Sequence, residues 1–378
     1  MVCMSPSPIR TAVLGYGLAG RVFHCPFVSA VPGLELSAIA LRSPESAAKT
    51  AEAVRSIYPN TRILSSIDEA INSPDIDLIV VGTPNDSHVE YGRAALKAGK
   101  HVVIDKPLAP TSAECTELID LAARHGTVLA PFHNRRFDSD FLTVKKLIHE
   151  GVFGRVNQVL SHYDRFRPIQ RPNSWKEAPG LASGLLYDLG PHLIDQALAL
   201  FGAPTHITAS VRFDRDKTDI DDAFDITFDF TIDGHNLRYG CHSTMLAAEP
   251  SPRFLVHGTH ASYTKFGLDP QEAALLGGAR PPVLDTASHS TETSWITEPE
   301  SMWGVLTTAT QRIEPVKFER ADYPTVPGDY RQFYLSVRDA IHGNSALAVP
   351  ASAGYRTMRL IELALQSSAE RRTLPVEF

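Results

Sequence analysis

Three groups of residues have types and spacings suited to chemistry. The first, Gly15-Tyr16-Gly17-Leu18-Ala19-Gly20, lies between an apolar run at 9–14 and a helical stretch that begins near residue 20. In such a loop the first glycine allows a tight turn and the second lets the backbone approach a pyrophosphate. The third allows a helix to pack on a strand, and the free N–H groups of that helix face the phosphates. Glycine-rich turns are common, so the pattern alone is weak. At the first βα turn of an alternating strand–helix sequence it reads as a dinucleotide site rather than a merely structural turn. The second group follows apolar runs further along. Thr83, Pro84, Asn85 and His88 come after the run 77–82, and Asp105, Lys106 and Pro107 after 101–104. Both lie at the carboxyl ends of predicted strands, where ligands bind in folds of this type. The alternatives are a solvated lysine for Lys106 and a helix cap for His88. Pro107 restricts Lys106 to extended conformations, and the isomer of the Lys106-Pro107 bond is not legible in the sequence. In the third group, Asp188 and His192 are four apart in a predicted helix, so they share a face and their side chains can meet. From spacing alone the first reading is an ordinary i,i+4 surface pair.

An NAD site usually carries an acidic residue about 20 positions beyond the glycine loop, holding the ribose 2′-hydroxyl. Here the second strand ends Ile39-Ala40-Leu41-Arg42-Ser43, without a carboxylate. Arg42 could fork onto a 2′-phosphate and Ser43 could add a hydrogen bond, which favours NADP, with NAD as the alternative. The other reading of Arg42 is a solvated surface arginine.

These residues need elements to hold them. Apolar runs at 9–14, 34–41, 61–64, 77–82, 101–104 and 128–130 predict strands, with helices from about residue 20 and over 44–57, 67–71, 88–98 and 114–125. That alternation means βαβ units and a doubly wound parallel sheet, an α/β Rossmann domain over residues 1–130. After a helix at 141–149 the pattern changes to strands at 156–163, 205–213, 223–230, 237–244 and 253–258, interrupted by one helix near 183–201. Consecutive strands predict an α+β domain with a mainly antiparallel sheet, assigned to substrate binding and oligomerisation over residues 131–378. The stretch 266–330 is rich in Gly, Pro, Ser and Thr and reads as an excursion with little regular structure, followed by helices at about 329–342 and 351–371.

Composition narrows the function classes. The 378 residues carry a net charge of −7 without acidic runs, which argues against a nucleic-acid partner. Cys3, Cys25, Cys115 and Cys241 are far apart and form no CxxC pair, as suits a reducing compartment. No apolar stretch approaches the ~18 residues of a membrane span, and the first ten residues lack the apolar core of a signal peptide, so a cytoplasmic protein is expected. The fifteen histidines form no HExxH and no Cys/His cluster, and no catalytic metal is expected.

Val80-Val81-Gly82-Thr83-Pro84-Asn85-Asp86-Ser87-His88, followed by Ala98-Gly99-Lys100-His101-Val102-Val103-Ile104-Asp105-Lys106-Pro107, resembles the glucose–fructose oxidoreductase/inositol dehydrogenase/rhizopine catabolism (Gfo/Idh/MocA) family. That family shows TPN-x-x-H, AGKHV and EKP at these intervals, and Asp105 stands here for the usual Glu. Ser183-Gly184, Asp188 and His192 match its GG-x-x-x-D-x-x-x-H, with serine for the first glycine. His133-Asn134-Arg135-Arg136-Phe137-Asp138 and the stretch from Lys265 to Glu272 look like a branch that includes NADP-dependent scyllo-inositol dehydrogenases. The resemblance spans nearly the whole chain. It implies a Rossmann domain joined to an open antiparallel sheet, an active site in the cleft between them, and assembly as a homodimer or homotetramer. It also implies hydride transfer between nicotinamide and a hydroxyl-bearing carbon of a sugar, cyclitol or related polyol.

Under that reading the catalytic residues are Lys106, Asp188 and His192. His192 is the natural base, since a reference pKa of about 6.5 lies near working pH. Asp188 could stabilise its charged form or bind a substrate hydroxyl, and Lys106 could hydrogen-bond the reacting oxygen and a ribose. Cofactor contacts fall to Gly15, Tyr16, Gly17, Leu18, Ala19, Gly20, Arg42, Ser43, Thr83, Pro84, Asn85, His88, Asp105 and Lys106. Asn134, Arg165 and Trp175 are weaker candidates for substrate, and Trp175 could equally be a core or interface aromatic. Two alternatives keep the dinucleotide. One is a glycosidase of this fold that oxidises and re-reduces its sugar on bound NAD, with no net use of cofactor. The other is a non-catalytic redox or sugar sensor, which loss of Lys106 or His192 would have favoured.

Overall fold

The structure is a computed structural model, and it describes residues 7–171, 177–285 and 294–378. The chain forms two units. The first comprises Met1–Asn134, Gln271–Trp295 and Asp329–Tyr355, and the second comprises Arg135–Pro270, Ile296–Gly328 and Arg356–Phe378.

Six strands build the first unit: β1 (Ile9–Leu14), β2 (Leu34–Ala40), β3 (Arg62–Leu64), β4 (Leu78–Val81), β5 (His101–Ile104) and β6 (Leu129–Pro131). Helices α1 (Cys25–Ala30), α2 (Pro44–Ile57), α3 (Ile67–Asn72), α4 (His88–Lys97) and α5 (Ser112–His125) alternate with them. Every pair is parallel, in the order β3-β2-β1-β4-β5-β6. All four β4 residues are buried, because runs of Val and Ile covered on both faces are what a parallel sheet needs. The order reverses between β1 and β4, so the loops leaving these two strands diverge and open a crevice at their carboxyl ends. α9 (Arg331–Ile341) also belongs to this unit, with Phe333 edge-on to Phe132 at a centroid distance of 4.8 Å.

The helix expected from residue 20 is not a regular α-helix. Ala19–His24 is π-helical, and an α-helix restarts at Cys25. Pro26 has no N–H to continue the previous ladder and is at home in a first turn, so the break falls just before it. Single π turns of this kind recur at functional sites.

The second unit is built on nine strands: β7 (Val156–His162), β8 (His206–Arg212), β9 (Ala223–Ile232), β10 (His235–Thr244), β11 (Phe254–Gly258), β12 (Ala261–Lys265), β13 (Gly304–Gln311), β14 (Lys317–Tyr323) and β15 (Leu374–Pro375). Their order is β14-β13-β12-β11-β7-β10-β9-β8-β15, and only β7 and β10 pair in parallel. In β9, Phe224, Ile226, Phe228 and Phe230 are buried while Asp225, Thr227 and Asp229 are not, the alternation of a sheet packed on one face. Helix α7 (Leu185–Phe201) covers that face, with Phe201 against Phe230 and Tyr239 at centroid distances of 5.7 and 6.1 Å. The reading of 266–330 as mostly irregular is corrected: it holds α8 (Pro270–Leu276), β13 and β14. Six of the seven β14 residues are exposed, so the strand carries no buried apolar alternation to betray it. α6 (Ser139–His149) and α10 (Ala351–Glu370) complete the helices named here.

Candidate cofactor and catalytic sites

The glycine loop follows β1 at the point where the strand order reverses. Gly15 has φ +91°, which favours glycine, and a side chain there would press on the Gly82 carbonyl beyond β4. A side chain on Gly20 would run into the Gly15 carbonyl oxygen, whereas one on Gly17 would meet nothing within 4 Å. The loop is therefore tight where helix packs on strand and open at Gly17, where a pyrophosphate would approach, and the residues present fit a dinucleotide. Tyr16 is half-buried, Leu18 is exposed and Ala19 opens the π-helical turn. At the end of β2, Arg42 is exposed, and the Ser43 hydroxyl caps α2 by accepting the Ser46 N–H at 3.2 Å.

Thr83, Pro84 and Asn85 are half-buried on the loop beyond β4. His88 lies beneath them, 1% exposed, with Nδ1 2.8 Å from the Pro107 carbonyl and Nε2 2.9 Å from the Thr83 carbonyl. The ring thus braces the two loops, a positional part rather than an open contact face. The Lys106-Pro107 bond is cis, and the Lys106 N–H donates to Asp105 Oδ1 at 2.8 Å. Asp105 Oδ2 stands 3.9 Å from Nε2 of His24, whose Nδ1 is 2.7 Å from the Tyr334 hydroxyl. Burial holds the His24 imidazole down to about 4, with Asp105 opposing the shift and His88 adding to it. His24 and Tyr334 escaped the sequence reading, because a buried histidine looks like any other and Tyr334 is 310 residues away.

In the second unit Asp188 lies in the first turn of α7 and His192 one turn on, buried at 7% exposure. The Asp221 carboxylate accepts the Leu186 N–H at 2.7 Å and so holds the helix start. Gly184 has φ +94°, and a side chain on it would collide with that carboxylate. Burial raises the Asp221 carboxyl to about 6. Further along α7, Asp195 is gripped by both arms of the Arg136 guanidinium at 2.7 and 2.6 Å. Gln196 accepts from the buried Arg253 at 2.6 Å, and Arg253 itself sits 3.2 Å from Asp140. The Tyr163 ring meets His192 edge-on at a centroid distance of 6.3 Å. Asp188 and His192 thus lie on a helix fixed at its start and further along. Arg165 comes within 3.8 Å of Asp188, and Asn134 is buried at 4% exposure. Trp175 lies outside the described residues. In the stretch from Lys265, Lys265 forms a buried ion pair with Glu298 at 3.2 Å, and Asp269 accepts the Ser139 N–H.

Two family descriptions match the chain. Residues 9–133 match "oxidoreductase family, NAD-binding Rossmann fold", and residues 145–378 match "oxidoreductase family, C-terminal alpha/beta domain", both of Gfo/Idh/MocA. The chain belongs to the Gfo/Idh/MocA oxidoreductase family. It is 42% identical to the uncharacterized oxidoreductase YdgJ of Escherichia coli, over 97% of this chain and 98% of that one. It is 36% identical to scyllo-inositol 2-dehydrogenase (NADP(+)) IolW of Bacillus subtilis, over 98% and 96%. A solved oxidoreductase from Bacillus cereus superposes with a TM-score of 0.82 at 26% identity, covering 98% of this chain and 99% of that one. As a Gfo/Idh/MocA protein the chain is an oxidoreductase with a Rossmann unit of the NAD-binding type, and its α/β unit followed by a mainly antiparallel sheet is that family's architecture. Among the described residues no helix is long and apolar enough to cross a membrane.

Proposed function

We propose that this enzyme moves a hydride between a nicotinamide dinucleotide, NADP in preference to NAD, and a hydroxyl-bearing carbon of a sugar, cyclitol or related polyol. The observation that carries the reading is the glycine loop after β1, tight at Gly15 and Gly20 and open at Gly17. IolW, which acts on scyllo-inositol with NADP, supports the substrate class. When bound, the nicotinamide supplies or accepts the hydride. The chain's own residues do the rest. Lys106 hydrogen-bonds the reacting oxygen and offsets its developing charge. His192 takes the hydroxyl proton, and Asp188 either steadies the charged imidazole or binds a neighbouring hydroxyl. Thr83, Pro84, Asn85 and Asp105 would line the cofactor, with His88 keeping their loops in register. A panel of polyols, sugars and keto-sugars assayed with both cofactors tests this. Reduction of cofactor by at least one polyol or sugar is expected, and inertness toward the whole panel would refute it.

Cofactor choice turns on Arg42, exposed just beyond β2, where Ile39-Ala40-Leu41-Arg42-Ser43 carries no carboxylate. A charge-assisted contact to a 2′-phosphate contributes roughly 1.5–3 kcal/mol, so NADP should be preferred by about ten- to a hundredfold. Arg42→Asp should erode that preference and favour NAD in the ratio of kcat/KM values. Equal use of both cofactors by the unmodified enzyme would contradict the assignment.

The same reading makes the enzyme a cytoplasmic homodimer or homotetramer. Phe318 on the outermost strand β14 is 68% exposed, an apolar group on a sheet edge that assembly would cover. Light scattering that shows a stable monomer would remove this part of the reading.

A further inference from the structure

We propose that the substrate carries an acidic group, a carboxylate or a phosphate, and that Arg165 and Arg167 hold it beside Asp188; this rests on the oxidoreductase reading above and narrows its substrate class. The geometry begins in the backbone. Beyond β7 the chain stays extended: Arg165 N–H donates to Thr244 O at 2.9 Å, Arg167 N–H donates to Met245 O at 2.7 Å, and Phe166 bridges to Leu246. Alternation along an extended strand puts Arg165 and Arg167 on one face and Phe166, 58% exposed, on the other. Arg165 lines a shallow, open pocket whose other charged residues are Arg171, Arg215, Glu177, Asp188, Asp221 and Asp222.

The charges around this pocket do not all pair off. Arg215 is held by Asp222 at 2.8 Å and Glu177 at 3.0 Å, and Glu177 is also the partner of Arg171 at 3.1 Å. The Asp221 carboxylate accepts a backbone N–H from α7. Arg165 reaches Asp188 only at 3.8 Å, longer than a hydrogen bond. The half-buried Arg167 guanidinium has no acceptor among the described residues. Burial lowers its pKa and its neighbours Arg165 and Arg171 lower it further, with Glu177 and Asp188 offsetting this only in part. Partly desolvated cations gain most from a real anion, and the planar forks of two arginines match the oxygens of a carboxylate or phosphate. A neutral sugar could accept hydrogen bonds here but would leave the charge standing.

The test compares D-glucuronate, D-glucose 6-phosphate and D-glucose as substrates with NADP, for the unmodified enzyme and Arg167→Gln. One acidic sugar is expected to exceed D-glucose in kcat/KM by about tenfold or more, the size of one charge-assisted contact. That acid-to-neutral ratio should collapse in Arg167→Gln, and the two acidic arms separate carboxylate from phosphate. Turnover that favours D-glucose, with a ratio untouched by Arg167→Gln, would overturn the proposal and leave the oxidoreductase reading standing. If none of the three turns over, calorimetric titration of the same compounds decides. Binding of an acidic sugar above D-glucose that weakens in Arg167→Gln sustains the proposal, and equal or absent binding of the acidic sugars overturns it.

Discussion

His192→Ala is expected to lower kcat by about 10²–10⁴, the usual range for a positioned proton-transfer group, while leaving dinucleotide affinity nearly unchanged. His192 sits in the second unit on a helix pinned at its start by Asp221 and further along by Arg136 and Arg253. The helix that carries it is therefore fixed, and it belongs to a different unit from the glycine loop. Lys106→Ala should lower kcat comparably but also weaken cofactor binding, since its ammonium is assigned to ribose as well as substrate. Asp188→Asn keeps the shape and removes the charge. If the carboxylate stabilises a protonated His192, its loss lowers the imidazole pKa, and the acid limb of the pH–rate profile moves to lower pH. An unmoved limb would assign Asp188 to substrate binding. A His192→Ala enzyme with near-normal turnover would discard the base assignment.

The second large effect is on stability. His24 is fully buried and titrates near 4 in the folded chain, against about 6.5 when unfolded. Above pH 6.5 both states hold it neutral and the stability is complete. As pH falls from 6.5 toward 4, the unfolded chain binds a proton that the folded chain refuses, so stability is lost across that window. The loss should level off at roughly 3 kcal/mol. His101, pushed down in the same direction by burial, adds to the trend. His24→Gln keeps a polar group for the Tyr334 hydroxyl but cannot titrate. Urea unfolding at several pH values should show a steeper acid decline in the unmodified protein than in His24→Gln. Parallel curves would mean that His24 is protonated as easily folded as unfolded.

Much of the first unit was legible because its strands are short buried runs of Val, Ile and Leu and its helices carry local caps. Ser43 and Thr111 each accept the N–H three residues on, and α2 begins and ends where the sequence places it. The glycine spacing was equally plain. The links that join distant segments were not. Nothing local tells Tyr334 to meet His24 or Arg253 to meet Gln196, since such contacts depend on the finished topology. Asp221 is one of several acidic residues in its loop, and only the structure shows that its carboxylate fills the space a Gly184 side chain would take. The π-helical turn was missed because apolar periodicity near 3.6 does not separate it from an α-helix over six residues. β13 and the edge strand β14 lack the buried alternation that would have marked them.

The most direct measurement of the central claim follows a deuterium label. The polyol, sugar or cyclitol that reduces the cofactor is prepared with deuterium on the carbon bearing the reacting hydroxyl and incubated with the enzyme and NADP. One deuterium should appear on the reduced cofactor for each molecule of keto product formed, in net stoichiometric turnover. A sugar released from a glycoside without net reduced cofactor, or cofactor binding with no product at all, would contradict it.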